Sequence, residues 1–238
     1  MPGVTTDILE SFGLQAPPVA QESLVFATVV AASPDVALLR VRSDTPYEGV
    51  MPVTEFYPGR PWAVGERLLL EQVGEPPLPL LTATRPELVS LLFDGYSPEI
   101  RSGAVQVMGI ARRPGVRTKV AVASTEPHID PVASCVGRAA NRVRAVSEML
   151  GGERVDVIAW SPDRTTYLRN ALAPAAVTKV VIAGHQATAI APPHQMSAAV
   201  GGGGLNAALA GQLVGLKVVV AVEGSEEAEA CIARGETS

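Results

Sequence analysis

Two short glycine-containing segments are the residues whose types and spacing could do chemistry: Gly137-Arg138-Ala139-Ala140 and Gly201-Gly202-Gly203-Gly204. Each follows a short helical pattern and precedes a longer one. Small residues between two helices let a nucleic-acid backbone approach closely, because the N–H groups and the positive end of the next helix stay open to phosphates. The predicted chemistry is phosphate binding, with about four nucleotides held at each loop.

The second loop also has a simpler interpretation, a helix end followed by a flexible turn. The recurrence of such a loop at the corresponding place in a repeated unit favours ligand binding over that alternative. Around the first loop, Arg138 and Arg142 are the candidate phosphate contacts, and they share a helical face only if the helix begins near Ala139. Arg144 fits a solvated helix face equally well.

No catalytic or metal-binding pattern accompanies these loops. The two cysteines, Cys135 and Cys231, lie far apart and lack metal-ligand spacing with the three histidines. The chain has no Walker loop, HExxH or GxSxG motif, and a helix rather than a strand precedes the glycine run at 201. We therefore predict reduced structural thiols, no enzymatic activity, no metal and no cofactor.

Composition indicates a globular protein without a membrane partner. The chain has 238 residues, of which 47% are hydrophobic, enough for cores in one to three domains. Its longest apolar run, residues 213–222, is interrupted by Lys217 and is shorter than the roughly 20 residues that cross a bilayer. The amino terminus lacks the pattern of a signal peptide, so we expect a cytoplasmic location.

Charge is unevenly distributed along the chain. The formal net charge of −5 argues against nucleic-acid binding by bulk charge alone. Residues 104–160 hold eight basic and five acidic residues, and residues 161–222 hold four and one. Residues 22–85 hold five basic and eight acidic residues, and the segment from Glu223 onward is also acidic. The basic middle fits a nucleic-acid face, although an ordinary solvated surface gives swings of this size.

The sequence also predicts the structural elements that must position the two loops. Five short segments rich in Val and Leu, separated by turn residues, predict the strands of a small OB-type barrel; they are 24–31, 36–41, 49–53, 67–72 and 78–81. Pro86 then begins a helix, and the order α-β-β-α-α-β occurs twice, from Pro86 to Trp160 and from Asp163 to Val222. In the second unit we expect Ser161 to be the N-cap of the first helix.

Three stretches of this sequence resemble the NusA family of transcription factors. HIDPVASCVGRAANRVRAVSEMLGGERVDVIAW, residues 128–160, is similar to the first KH domain of that family. RPELVSLLFDGYSPEI, residues 85–100, resembles its junction between barrel and KH domain, and LAPAAVTKVVI, residues 172–182, resembles the start of its second KH domain. The resemblance implies an S1-type barrel, a KH pair packed as one unit, and single-stranded RNA as the ligand during transcription.

The sequence also departs from the family pattern. Ala140 replaces the last glycine of the first GxxG, and its Cβ is expected to weaken that clamp. Gly202 and Gly203 replace the central basic and polar residues of the second loop. Family members begin with a large domain that docks on RNA polymerase, whereas only residues 1–21 precede this barrel. The aromatic residues Phe56, Tyr57 and Trp62 lie in a Pro-rich turn, where packing is favoured over base stacking.

The predicted fold class is α+β multidomain, a small OB-type (S1) barrel followed by two tandem type II KH domains. The predicted boundaries are a short arm (1–21), the barrel (22–85), KH domain 1 (86–161), KH domain 2 (162–223) and an acidic tail (224–238). We expect the chain to bind single-stranded RNA and modulate elongation, pausing, termination or antitermination, with RNA polymerase or other transcription factors as candidate partners. The alternative is a divergent protein whose weakened loops leave a protein-interaction scaffold. The predicted RNA contacts are Gly137, Arg138, Ala139, Ala140, Arg142, Gly201, Gly202, Gly203 and Gly204.

Overall fold

The computed structural model describes residues 24–58, 60–74 and 76–235. The arm predicted at 1–21 therefore lies outside the described residues. The chain divides into two compact units, of which the first holds residues up to 104 together with 113–117 and 133–155. The second holds residues 105–112, 118–132 and those from 156 onward.

Five strands of the first unit close into a barrel in the order β1-β2-β3-β5-β4, as the alternating apolar pattern predicts. The strands are β1 (Leu24–Ala32), β2 (Val36–Val41), β3 (Tyr47–Pro52), β4 (Arg67–Val73) and β5 (Leu80–Thr82). Every second residue points inward, so Ala37, Leu39 and Val41 of β2 are at most 1% exposed while Arg40 between them is exposed. The outward face is exposed along β2 and partly exposed along β1, whereas Leu69 and Glu71 on the outward side of β4 are buried.

The aromatic residues of the Pro-rich turn belong to the barrel core. Phe56 and Tyr57 are only 2% and 6% exposed. The Trp62 ring stacks on the Phe56 ring, with centroids 4.8 Å apart and planes 22° apart. The packing interpretation is therefore correct for Phe56 and Tyr57, which have no free face for a base.

The elements of the first KH-type module follow the predicted order. They are α1 (Pro86–Tyr96), α2 (Pro98–Arg101), β6 (Val105–Arg113), β7 (Arg117–Ser124), α3 (Pro131–Val136), α4 (Asn141–Met149) and β8 (Arg154–Ala159). The three strands form a sheet in the order β6-β7-β8. Pro86 is in the first turn of α1, as predicted, and Leu88, Leu92 and Phe93 of this helix are buried. The first loop lies between α3 and α4.

The second KH-type module repeats this order. Its elements are α5 (Arg164–Ala171), β9 (Lys179–Ala183), β10 (Gln186–Ala191), α6 (Met196–Val200), α7 (Leu205–Val214) and β11 (Lys217–Val222). Strand β10 pairs antiparallel with β9 and parallel with β11. The predicted N-cap at Ser161 is wrong, because Asp163 occupies that position and its carboxylate accepts a hydrogen bond from the Thr166 N–H at 2.8 Å. The second loop lies between α6 and α7.

Strands of the first module share a hydrophobic core with the second module inside the second unit. Ala121 of β7 and Ile158 of β8 belong to the same buried cluster as Leu168 and Leu172. Lys119, whose side chain is fully buried, donates hydrogen bonds to Asp156 at 3.4 Å and to the Ala173 carbonyl at 3.0 Å. These contacts tie the end of α5 to the preceding sheet.

The segment predicted as an acidic tail contains a helix, α8 (Glu226–Gly235). Ala228 is 1% exposed and packs with Ile190, Ala221 and Ile232. The acidic residues Glu226, Glu227 and Glu229 all lie in its first turn, where the helix dipole favours negative charge. Part of the charge of this segment therefore stabilises a helix end.

Candidate nucleic-acid interface

The two predicted loops have nearly the same backbone conformation. Gly137 and Gly201 have φ/ψ of 75°/172° and 75°/165°. Ala139 (51°/31°) corresponds to Gly203 (59°/23°), and each loop closes with a left-handed residue immediately before a helix. In each loop the N–H of the fourth residue donates to the carbonyl of the first, at 3.1 and 3.0 Å. The sequence repeat is thus a repeat of one helix–loop–helix geometry.

The first position of each loop has no room for a side chain. A Cβ on Gly137 would lie 2.4 Å from Asn141 Oδ1 and 2.7 Å from Arg142 Cγ. A Cβ on Gly201 would lie 2.7 Å from both the backbone nitrogen and the Cβ of Asn206. The second helix of each pair therefore crosses directly over the first glycine, which fixes the shape of the loop.

The last two positions of the first loop hold alanines in a left-handed conformation. Ala139 and Ala140 have φ of 51° and 60°, and they are the only non-glycine residues with positive φ in the described part of the chain. Such a conformation costs an L-residue about 1–2 kcal/mol. Ala140 thus leaves the loop conformation intact, at the cost of backbone strain; its predicted effect on RNA binding stays a prediction.

The residue five places after the first glycine fastens each loop to the preceding helix. In the first loop this residue is Arg142, whose Nη1 donates hydrogen bonds to the Ser134 carbonyl and, at 2.7 Å, to Glu99 Oε2. In the second loop it is Asn206, fully buried, whose Nδ2 donates to the Ala199 carbonyl at 3.1 Å and the Leu172 carbonyl at 2.9 Å. Arg142, predicted as a phosphate contact, thus first serves to position the loop.

The carboxylate beside Arg142 is held in its charged form. Partial burial raises the pKa of Glu99, but hydrogen bonds from its own N–H, Ser97 and Arg142, together with the charge of Arg142, outweigh this and lower the pKa. Glu99 is therefore ionised at neutral pH. The sequence did not indicate that Glu99 contacts Arg142, because a Pro-Glu pair is typical of any helix start.

The two loops differ in side-chain charge. The Arg138 side chain is exposed and has no hydrogen bond or ion pair within the described residues. Arg144 Nη2 donates to the Ala139 carbonyl at 3.3 Å, which partly engages it at the loop. At the second loop, a Cβ on Gly202, Gly203 or Gly204 would meet no atom within 4 Å. That loop therefore offers an open backbone without a cation.

Both helices that follow the loops begin without a side-chain cap. Neither Ala140, at the start of α4, nor Gly204, at the start of α7, makes a side-chain hydrogen bond to the first turn. The first N–H groups of a helix have no partner within the helix, and its N-terminus carries a partial positive charge. Two such ends, each behind an open loop, are suited to phosphate oxygens.

The cysteine, histidine and carboxylate residues of the described part of the chain do not form a metal site. No group of three or more His, Cys, Asp and Glu residues that could hold a metal occurs among residues 24–58, 60–74 and 76–235. Burial raises the pKa of Cys135 to about 12, so this thiol is an inert part of the core. No helix in the described ranges is long and apolar enough to cross a membrane.

Comparison with known protein families covers both modules. Residues 83–160 match the NusA-like first KH domain, and residues 164–228 match the NusA-like second KH domain. The chain belongs to the NusA family. The loops at 137–140 and 201–204 both fall within these matched residues. The residue-level RNA contacts stay predictions.

Relatives from several bacteria support the assignment. The chain is 35% identical over 183 residues to the transcription termination/antitermination protein NusA of Bacillus subtilis, which covers 74% of this chain and 49% of that protein. It is 37% identical over 179 residues to NusA of Mycobacterium tuberculosis (72% and 52%) and 36% identical over 178 residues to NusA of Thermus thermophilus (72% and 46%). The chain spans about half the length of the curated relatives it matches.

Proposed function

We propose that this protein is a cytoplasmic, non-enzymatic RNA-binding factor that acts during transcription. Its KH loops, Gly137–Ala140 and Gly201–Gly204, would hold single-stranded RNA by its phosphates. The observation that carries the proposal is the shared loop geometry, in which a tight first glycine and an uncapped helix start recur in two modules with different sequences. The two loops share a backbone conformation but differ in their side chains, which points to a ligand that contacts the backbone.

The names of the relatives are the only basis for assigning a regulatory step in transcription. The matched proteins are named transcription termination/antitermination proteins. We infer that RNA held by the KH pair changes elongation, pausing, termination or antitermination, with RNA polymerase or another transcription factor as a partner.

A protein-interaction scaffold is the second candidate function. One observation favours it: Val36, Val53 and Leu78 of the barrel are 41%, 48% and 54% exposed. Val36 pairs with Pro52, which precedes Val53, and the Val50 N–H bonds to Pro79 next to Leu78, so the three residues lie at neighbouring positions of the barrel. Such a surface suits an apolar partner.

Position 202 provides a matched test of the RNA proposal. Gly202 does not have a positive φ and its Cβ direction is open, so Asp and Arg can both occupy it without strain. Asp would repel a phosphate, whereas Arg would copy Arg138 at the same place of the first loop. We expect Gly202→Asp to weaken binding of a fluorescent single-stranded RNA and Gly202→Arg to tighten it, measured by anisotropy at two salt concentrations.

Opposite effects of Gly202→Asp and Gly202→Arg on RNA affinity would identify the second loop as an RNA contact. Circular dichroism and thermal unfolding should be the same in both variants and the parent. Equal affinity in all three proteins would contradict the second loop as an RNA contact. Absence of binding by the parent at low salt would favour the scaffold.

A further inference from the structure

The carboxylate of Glu99 and the guanidinium of Arg142 meet beside the first KH loop. Glu99 lies in α2, 43 residues before Arg142 of α4. Arg142 Nη1 donates a hydrogen bond to Glu99 Oε2 at 2.7 Å and another to the carbonyl of Ser134 in α3. Both hydrogens of this nitrogen are therefore used inside the protein.

The other half of the Arg142 guanidinium is open. An arginine has five N–H donors in one rigid plane, so three of them remain on Nε and Nη2. Within the described residues these two nitrogens have no hydrogen-bond partner, and neither of them is buried. With 26% of its side chain exposed, Arg142 can hold the protein with one nitrogen and an external anion with the other two.

Arg142 lies where such an anion would bind. A Cβ added to Gly137 would lie 2.7 Å from Arg142 Cγ, so this side chain starts in contact with the loop backbone. Arg142 is also the second residue of α4, whose first turn has no side-chain cap. A phosphate held by the N–H groups at the start of α4 would therefore lie close to this guanidinium.

Glu99 is itself held in place by Ser97. Ser97 is fully buried, and its hydroxyl lies 3.1 Å from Glu99 Oε2 and 3.3 Å from the Ser134 carbonyl oxygen. The two acceptors that receive Arg142 Nη1 are thus linked through one hydroxyl group. Because the guanidinium is planar and rigid, acceptors that fix Nη1 also fix the direction of Nε and Nη2.

The corresponding residue of the second loop has no open half. Asn206 is fully buried, and its Nδ2 donates to two backbone carbonyls. Anchoring of a loop of this shape therefore needs only a short amide side chain. A partly exposed arginine at the same position of the first loop indicates a second task besides anchoring.

We propose that Glu99 is a positioning residue for RNA binding at the first KH loop. It holds Arg142 through Nη1, so that Nε and Nη2 present a preformed pair of donors to one RNA phosphate. An arginine that is already ordered loses less conformational entropy when it binds. The proposal rests on the RNA-binding function proposed above. The charge of Glu99 alone would repel a phosphate, so Glu99 favours binding only through Arg142.

The test is a pair of double-mutant cycles in the full chain, with binding of a fluorescent single-stranded RNA measured by anisotropy. One cycle combines Glu99→Gln with Arg142→Gln, and the other combines Glu99→Gln with Arg138→Gln. Arg138 is the matched control, because it is a cation of the same loop without a hydrogen bond or ion pair in the described part of the chain. Direct repulsion between Glu99 and RNA enters both cycles, whereas positioning enters only the first.

The expected effects are specific to Arg142. Loss of one phosphate contact in Arg142→Gln should reduce the slope of log K against log salt by about 0.7, which is roughly fivefold weaker binding at ~0.1 M salt when extrapolated from 1 M. Glu99→Gln should weaken binding by up to the same factor, and the double variant should bind no more weakly than Arg142→Gln. In the control cycle, the effects of Glu99→Gln and Arg138→Gln should multiply.

Two further measurements keep the test independent of folding defects. Circular dichroism and thermal unfolding should show that every variant is folded at the temperature of the binding assay. In the parent protein, the NMR signal of the Arg142 Nε–H should shift when RNA is added, and this measurement needs no substitution. An unshifted signal in the presence of bound RNA would overturn the proposal.

The remaining outcomes separate this proposal from the function on which it rests. Tighter binding by Glu99→Gln would show that its charge repels RNA, and multiplicative effects in both cycles would show that it does not act through Arg142; either result overturns the proposal. The KH proposal would still stand if Gly202→Asp weakens binding. No RNA binding by the parent at low salt would overturn both.

Discussion

Replacing Ala140 by Gly tests whether the first KH loop is strained. Ala140 has φ of 60° and ψ of 26°, a left-handed conformation that glycine adopts without cost. The second loop has Gly204 at the same position with φ of 78°. The substitution therefore gives the first loop the residue that its conformation requires.

The expected change in the free energy of unfolding is the difference between two opposing contributions. Relief of the left-handed conformation contributes about 1–2 kcal/mol, and the added freedom of glycine in the unfolded chain opposes it by about 0.4–1 kcal/mol. We expect Ala140→Gly to raise the free energy of unfolding by about 0.5–1 kcal/mol. Ala145→Gly inside α4 should lower it by about 1 kcal/mol, because glycine is a poor helix former.

The two variants form a matched pair, since both convert one alanine to glycine and share the unfolded-state term. Hydrogen exchange of α4 amides in urea reports on this segment without assuming that the whole chain unfolds in one step. The reasoning is refuted if Ala140→Gly destabilises α4 as much as Ala145→Gly does.

The same variant reports on RNA binding. Removal of the Ala140 Cβ lets a phosphate approach the start of α4 more closely, so we expect a tighter complex with single-stranded RNA. Unchanged affinity together with the gain in stability would mean that this Cβ does not limit the first loop.

Two further predictions concern the contacts that fasten the loops. Gly201→Ala should cost at least about 2 kcal/mol, because its Cβ would lie 2.7 Å from the Asn206 backbone nitrogen; Gly202→Ala, in open space, should be neutral or stabilising by up to about 1 kcal/mol in the same urea titration. Similar costs for both would disprove the crossing of α7 over Gly201. The lowered pKa of Glu99 means that its contribution to stability is present above its unfolded-state pKa and is lost as the pH falls through the folded-state value. Titration of the Glu99 carboxylate by NMR should show this lowered pKa, and Arg142→Ala should move it upward; no movement would show that Arg142 does not stabilise the carboxylate.

Periodicity and turn residues predicted the barrel strands and the repeated α-β-β-α-α-β order, and the resemblance to a known family supplied the KH fold class. Strand β2 was predicted with its observed bounds, and each loop lies between a shorter and a longer helix, as the sequence pattern predicted. The N-cap at Ser161 was wrong because Ser, Pro and Asp all favour a helix start, and only the conformation at Asp163, with its hydrogen bond to Thr166, decides among them. The helix inside the acidic segment was missed because its apolar residues, Ala228 and Ile232, are too few to give a pattern without the sheet they pack on.

The loops could be located from the sequence, but their supporting contacts could not. Glycine and alanine in a tight connection between helices indicate close approach of a backbone, which is what Gly137 and Gly201 show. The roles of Arg142 and Asn206 depend on which carbonyls lie beneath them, and an exposed-looking arginine gives no sign that it pairs with Glu99 43 residues away.

Shape and charge are distributed differently over the two loops. The first loop has a cation, Arg138, that forms no ion pair within the described residues, and it keeps its shape despite two left-handed alanines. The second loop is unstrained and holds its shape through Gly201 and the buried Asn206, but it has no charged side chain of its own. Because four successive glycines lose more conformational entropy on ordering than other residues do, we expect any phosphate at the second loop to be bound mainly by the helix end behind it.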